Sequence, residues 1–156
     1  MVSISAHKFH GPKGAGFVFI RSEKKLCPLL HGGSQERNMR AGTENIYGIV
    51  GLAKAMENAY EHIFEYHSYI KDLKNYLYNE LANAIPDIKV NGTLGDQSLY
   101  TVLNVSFPQN ENSDFLIYNL DINNIAASAG SACTSGSDQG SHVLRELPIE
   151  PGRANV

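Results

Sequence analysis

The chain has 156 residues, of which 42% are hydrophobic, and this combination is typical of a folded globular protein with a substantial core. Its formal net charge of -3 provides no long-range positive field, which argues against a nucleic-acid partner. No apolar run approaches the roughly 20 residues that span a bilayer, and the N-terminus lacks a secretory pattern. The sequence therefore predicts a cytoplasmic protein that does not enter a membrane.

The first third of the chain predicts two strands and a long loop. AGFVFIR (15–21) follows a glycine-rich turn and has the apolar character of a buried strand, and KKLCPLL (24–30) predicts a second strand that pairs with it. The polar segment HGGSQERNMRAGTEN (31–45) is too long for a simple connection, and such loops are often functional. We expect Arg37 and Arg40 to stabilise this loop rather than to bind a phosphate.

Two helices are predicted next. Apolar residues recur at helical spacing from Ile46 to Tyr60, and Thr43 is placed to cap the first turn. A second amphipathic helix is predicted after the polar step at His67 and Ser68, and it ends before Pro86. The point between the two helices is the predicted domain boundary, which divides the chain into residues 1–65 and 66–156.

The remainder alternates strands and helices, which predicts an α/β domain. Strands are predicted in IKVNG (88–92), TVLNVSF (101–107) and NNIAAS (123–128), with the second as a central strand. SDFLIYNLD (113–121) predicts a short helix capped by Ser113, and SHVLREL (141–147) predicts a last helix that Pro148 ends.

Lys8 lies beside Ser5 and His7, directly before a glycine-rich turn. A lysine in a desolvated pocket loses its charge, and the neutral amine can form a Schiff base with an aldehyde cofactor. A neighbouring hydroxyl and imidazole can bind a phosphate group. Taken alone, a solvated lysine beside a turn is the commoner interpretation of this pattern.

The two cysteines differ in their surroundings. Cys133 lies in SAGSACTSGS (128–137), where small side chains leave the thiol accessible, as a nucleophilic cysteine requires. The competing interpretation is a cysteine tolerated in a surface loop. Cys27 is flanked by leucine and proline, so we expect it to be buried and to serve packing only.

Arg145 on the last predicted helix can bind a carboxylate with two parallel hydrogen bonds, although a surface arginine paired with Glu146 or with solvent is the commoner case. His31 and His142 could be combined with Cys133 as metal ligands. The closely spaced ligand pair that zinc sites usually show is missing, so we expect no metal site.

Three segments, in this order, resemble the cysteine desulfurases, which belong to the class V aminotransferase group of pyridoxal-phosphate enzymes. They are SAHKFHGPKGAGFVFIR (5–21), HGGSQERNMRAGTENIYGIVGL (31–52) and SAGSACTSGSDQGSHVLREL (128–147). The resemblance implies the C-terminal part of a fold-type-I transferase with α/β architecture. Residues 1–65 would be the tail of the large cofactor-binding domain, and residues 66–156 a small domain truncated at its end.

The resemblance also implies the roles of single residues in binding pyridoxal 5'-phosphate. Lys8 would be the residue that binds the cofactor covalently, with Ser5 and His7 as ligands of its phosphate. Thr43 would reach the phosphate of the partner subunit, which implies a homodimer.

Cys133 would accept sulfur from L-cysteine as a persulfide, with alanine as the second product, and Arg145 would hold the substrate carboxylate. The persulfide would pass to a sulfur-acceptor or iron–sulfur scaffold protein, for iron–sulfur cluster or thio-cofactor synthesis. Because the family's N-terminal half is missing, we expect the chain to be inactive alone. Two other hypotheses stay open, a selenocysteine lyase and a non-catalytic module for interaction or dimerisation.

Overall fold

A computed structural model describes residues 1–22, 27–129, 141–148 and 153–156. These residues form two compact units, Met1–Glu65 and Tyr66–Val156. Within the described ranges, no helix combines the length and the apolar character that a membrane span requires.

The first unit begins with an antiparallel hairpin of β1 (Val2–Ser5) and β2 (Gly16–Phe19). A single turn of 3₁₀ helix, Ala6–Phe9, follows β1 directly and is called the Lys8 helix below. The predicted strand at 15–21 is confirmed as β2 over Gly16–Phe19, but its partner is β1 and not KKLCPLL. The expectation that this strand is buried is wrong, since Val18 and Phe19 are exposed. Residues 23–26 lie outside the described residues, and the stretch 27–30 is not part of a strand.

Helix α1 (Ile46–Glu61) confirms the first predicted helix, but its cap was predicted wrongly. Asn45 is the N-cap residue, and its side-chain oxygen accepts a hydrogen bond from the Gly48 amide at 3.1 Å. A capping side chain reaches amides two or three residues along the chain, so Thr43 lies too far from this helix end. The Thr43 side chain is exposed.

Helix α2 (Ile63–Ala84) begins earlier than predicted. Only His62, with ψ of 7°, separates it from α1, and His67 and Ser68 lie inside it. Polar residues do not end a helix whose backbone hydrogen bonds continue, and both side chains are exposed to solvent.

The second unit contains a small antiparallel sheet of β3 (Lys89–Val90), β4 (Val105–Phe107) and β5 (Ala154–Asn155), in that order. The prediction that TVLNVSF provides a central strand is confirmed, although only its last three residues form β4. Val105 and Ser106 of β4 are buried. The short helix α4 (His142–Glu146) is also as predicted, with Ser141 accepting a hydrogen bond from the Leu144 amide at 3.3 Å.

The segment between β4 and residue 129 differs from the prediction. Ser113 starts a 3₁₀ turn (Ser113–Phe115) ahead of α3 (Leu116–Ile122), and its hydroxyl accepts from the Asn110 amide instead of capping α3. The predicted strand NNIAAS is absent from the described structure. Asn124 has φ of 59°, and the Ile125 amide bonds back to the Leu120 carbonyl at 2.9 Å. This closure of the helix end uses the amide that a strand would need.

The predicted hydrophobic core is much smaller than the composition suggested. Among the described residues, the buried apolar side chains are Ala6 and Val105. Tyr47 and Phe64 remain 92% and 87% exposed, and the expectation that Cys27 is buried is also wrong, since its thiol is exposed. Helical spacing indicates which face of a helix is apolar, but it does not supply the surface that covers this face.

A buried arginine stabilises the second unit. The Arg153 side chain is only 7% exposed, and its Nη1 donates to Asp87 Oδ2 at 2.9 Å. Its Nε donates to Ser106 Oγ at 2.8 Å and its Nη2 to the Ser106 carbonyl at 3.0 Å. Arg153 therefore joins the turn that follows α2 to the central strand of the sheet.

We predict that the pair of Asp87 and Arg153 makes the stability of the second unit depend on pH. The hydrogen bond from Arg153, and then its charge, hold the pKa of Asp87 below its ordinary value of 3.8. A depressed carboxyl pKa stabilises the fold above the unfolded-state pKa, and this contribution is lost as the pH falls through the folded-state pKa. Urea unfolding of Asp87→Asn should therefore depend less on pH below about pH 5 than wild type.

Asp114→Asn is the matched control, because Asp114 is an exposed carboxylate without an ion pair among the described residues. An equal loss of stability on acidification in wild type, Asp87→Asn and Asp114→Asn would contradict the assignment.

Candidate active site

The backbone around Lys8 is fixed by two hydrogen bonds to a buried alanine. The Ala6 amide donates to the Ala15 carbonyl at 3.0 Å, and the Gly11 amide donates to the Ala6 carbonyl at 2.9 Å. Ala6 has no exposed surface. His10, with φ of 68°, ends the Lys8 helix and reverses the chain. Lys8 lies in the last turn of this helix, with its side chain exposed.

Ser5, His7 and Lys8 lie together on four residues of chain. Ser5 occupies the N-cap position of the Lys8 helix without a capping hydrogen bond from its side chain. In the part of the chain that the structure describes, none of the three side chains makes a hydrogen bond or an ion pair, and all three are exposed. The cluster thus offers a hydroxyl, an imidazole and an amine to a ligand.

Helix α1 supports this turn from one side through close backbone packing. A Cβ atom on the buried Gly48 would lie 3.2 Å from the Ala15 Cβ and 2.5 Å from the capping amide of Asn45. Pro12 packs against the same helix one turn later, at Gly51. Sequence reasoning missed these positioning residues. The spacing of Gly48 and Gly51, three residues apart on one helix face, indicates that another segment can approach the helix backbone closely there.

The loop at 31–45 is held by contacts within itself. The Gly42 amide donates to Gln35 Oε1 at 3.2 Å, and the Ala41 amide donates to the Leu30 carbonyl at 3.2 Å. Arg40 Nη1 donates to the carbonyl of the neighbouring Ala41 at 2.9 Å, so its role in stabilising the loop stays a prediction. Thr43 lies near the end of this loop, shortly before α1, and is exposed.

Arg145, another predicted site residue, belongs to the second unit. Arg145 lies in the last turn of α4 and is exposed. Cys133 lies outside the described residues. The structure therefore brings together Ser5, His7 and Lys8, while Thr43 and Arg145 lie on other segments. In the described ranges, no three His, Cys, Asp or Glu side chains are grouped as metal ligands.

The family model for aminotransferase class V matches residues 1–148. The chain belongs to the class-V aminotransferase family. This family depends in general on pyridoxal phosphate. The predicted resemblance is thereby confirmed at the level of the family.

Curated relatives agree with this membership. The chain is 42% identical over its whole length to the cysteine desulfurase IscS of Dictyoglomus turgidum, and it covers 40% of that relative. It is 44% identical over 96% of its length to the cysteine desulfurase IscS of Clostridium botulinum (strain Hall), of which it covers 38%. The chain thus spans about two fifths of the length of these relatives.

Solved structures confirm the predicted fold class, an α/β part of a fold-type-I enzyme. A NifS-like protein superimposes with a TM-score of 0.79 at 37% identity, over 99% of this chain and 39% of its own. A structure of SspA in complex with cysteine gives a TM-score of 0.64 at 30% identity, over 99% of this chain and 43% of that one.

We predict that the turn behind Lys8 does not tolerate a side chain at Gly11. A Cβ there would lie 2.8 Å from the Ala6 Cβ and 3.0 Å from the Ala6 carbonyl oxygen, so the backbone of Gly11 has to move. We expect Gly11→Ala to destabilise the first unit by about 1–3 kcal/mol, the usual range for overpacking. Hydrogen exchange at the Ala6 and Gly11 amides should become faster, whereas Lys13→Ala, an exposed change in the same turn, should leave both rates unchanged. Equal exchange rates in all three proteins would refute this account of the turn.

Proposed function

We propose that this chain is the C-terminal part of a pyridoxal-phosphate-dependent cysteine desulfurase that transfers sulfur from L-cysteine to Cys133. One observation carries the proposal. An exposed Lys8 amine lies beside two side chains that suit phosphate and have no partner within the described structure, in a chain that is 42% identical along its whole length to a cysteine desulfurase. The likeness to a structure that contains cysteine supports the choice of substrate.

The donor set of the Lys8 helix fits pyridoxal 5'-phosphate. Lys8 would bind the aldehyde carbon through its amine, and Ser5 and His7 would donate hydrogen bonds to the phosphate. None of these three side chains has to break an existing hydrogen bond or ion pair within the described structure to do so. Thr43, exposed and not needed as a helix cap, would serve the phosphate of the partner subunit in a homodimer.

The reaction requires an electron sink, and the bound cofactor supplies it. The Cys133 thiolate would attack the substrate sulfur, so that an S–S bond forms and the Cβ–S bond of the substrate breaks. The electron pair of the broken bond stays with the carbon skeleton, which takes up a proton and leaves as alanine. Lys8, whose amine is exposed, would carry protons to and from the substrate.

The remaining proposals concern the whole enzyme. The units Met1–Glu65 and Tyr66–Val156 would correspond to the end of the large domain and to the small domain. The persulfide would pass in the cytoplasm to an acceptor or scaffold protein for iron–sulfur cluster or thio-cofactor synthesis. Apolar side chains of α1, such as Tyr47 and Val50, are exposed in this chain. Their exposure supports the proposal that α1 packs against additional protein, including a second subunit.

We predict that two measurements on the whole protein that carries this chain distinguish the roles of Lys8 and Cys133. Cys133→Ser should retain the visible absorbance of bound cofactor but lose the protein persulfide that forms with L-cysteine. Lys8→Ala should lose both, because the amine is needed before the thiol can react. Cys27→Ser is the matched control, since Cys27 is an exposed thiol outside the proposed reaction, and it should retain both.

Persulfide on Cys27 instead of Cys133 would contradict the assignment. Alanine release from selenocysteine but not from cysteine would favour a selenocysteine lyase, and absence of both activities would favour a non-catalytic module. The 156-residue chain alone should bind pyridoxal phosphate weakly in a spectrophotometric titration, since it spans only about two fifths of the relatives.

We predict that Arg145 holds the substrate carboxylate. Its guanidinium is exposed on α4, so Arg145→Lys should raise KM for cysteine about tenfold through loss of one charged hydrogen bond, without changing the melting temperature. Arg153→Lys provides the comparison, because the bonds of Arg153 to Asp87 and Ser106 predict a lower melting temperature. A raised KM for Arg153→Lys with normal stability, together with an unchanged KM for Arg145→Lys, would move the carboxylate site to Arg153.

A further inference from the structure

A cavity of about 180 Å³ lies in the second unit, between α2 and the turn that leads towards β4. Its α2 wall carries basic side chains four and three residues apart, so they share one face of the helix. The opposite wall comes from residues 95–100. The side chains that matter for its chemistry are His67, Lys71, Lys74, Asp96, Ser98 and Tyr100.

Lys74 is the unusual residue of this cavity, because its burial is not balanced by an opposite charge. Its relative exposure is 9%, and its Nζ donates to Ser98 Oγ at 2.9 Å and to the Leu99 carbonyl at 3.0 Å. Both acceptors are neutral oxygens, whereas an ammonium has three donors and its burial is costly unless it is paired. In the part of the chain that the structure describes, no carboxylate forms an ion pair with Lys74.

The ion pair between Lys71 and Asp96 shows that a carboxylate binds at the edge of this cavity. Lys71 Nζ lies 2.5 Å from Asp96 Oδ1, at an exposed edge where the Asp96 side chain is 85% accessible. The hydrogen bond from Lys71, and then its charge, lower the pKa of Asp96, with a smaller contribution from His67. The Asp96 carboxylate therefore pairs with Lys71, and within the described structure Lys74 bonds to Ser98 and Leu99 instead.

His67 adds an aromatic ring to the α2 wall of the cavity. Its ring packs edge-on against Tyr100 with 4.6 Å between ring centroids, which places a further nitrogen donor and a phenol at the cavity. The site therefore combines cationic and neutral hydrogen-bond donors around a space that is large enough for a small ligand.

We propose that this cavity binds a small oxyanion, a phosphate or carboxylate group, beside Lys74 and Lys71, with Asp96 as a competing internal anion. The site lies within the second unit and makes no use of Lys8, Arg145 or Cys133. The proposal is therefore independent of the desulfurase function.

Calorimetric titration of the 156-residue chain with inorganic phosphate tests the proposal, with sodium chloride added to keep the ionic strength constant. We expect saturable binding that weakens about tenfold in Lys71→Met, the loss of one charge-assisted hydrogen bond. Asp96→Asn should strengthen binding, because it removes the competing carboxylate from Lys71. Lys54→Met is the matched control, since Lys54 forms a 2.7 Å ion pair with Glu57 in the other unit, and it should bind as wild type.

A parallel titration with acetate distinguishes a phosphate site from a general carboxylate site, and saturable binding of either anion that also shifts the Gly95 and Ser98 amides supports the proposal. NMR shifts of the Gly95 and Ser98 amides should saturate with the same affinity as the calorimetric signal. The proposal is overturned if neither anion binds saturably, or if wild type, Lys71→Met and Asp96→Asn bind with equal affinity.

Discussion

The hydrogen bond from the Ala6 amide to the Ala15 carbonyl closes the turn that carries Ser5, His7 and Lys8. It holds both ends of the hairpin's connecting segment, while Gly48 allows α1 to approach Ala15 without an intervening side chain. The Lys8 side chain is therefore exposed on a backbone that hydrogen bonds hold in place. An amine held in this way loses less conformational freedom when it binds a ligand, and this preorganisation favours reaction.

The second unit contains two nearly buried basic side chains that are stabilised in different ways. Arg153 meets the Asp87 carboxylate and both oxygens of Ser106, so its charge and its donors are compensated inside the fold. Among the described residues, Lys74 bonds to neutral oxygens only. A planar guanidinium with several donors suits a permanent structural contact, whereas a compact ammonium with a donor to spare suits a ligand. This contrast separates a stabilising residue from a candidate binding residue.

The scarcity of buried apolar side chains agrees with the coverage of the relatives. The chain spans about two fifths of the cysteine desulfurases that it matches, and α1 exposes apolar residues such as Tyr47 along its length. Amphipathic helices require a second layer for their apolar stripe. The exposed face of α1 and the proposed shared cofactor site of Thr43 therefore lead to the same conclusion, that the proposed activity belongs to a larger assembly.

The sequence by itself determined the family, the helix at α1 and the central strand β4, because motif order and short-range periodicity are written locally in the chain. Only the tertiary structure decided the partner of β2 and the exposure of Cys27. These features depend on which backbone groups or surfaces from distant parts of the chain come into contact. A local sequence pattern does not predict such contacts. The burial of Lys74 has the same origin, since its helical position gives no sign of the turn that covers it.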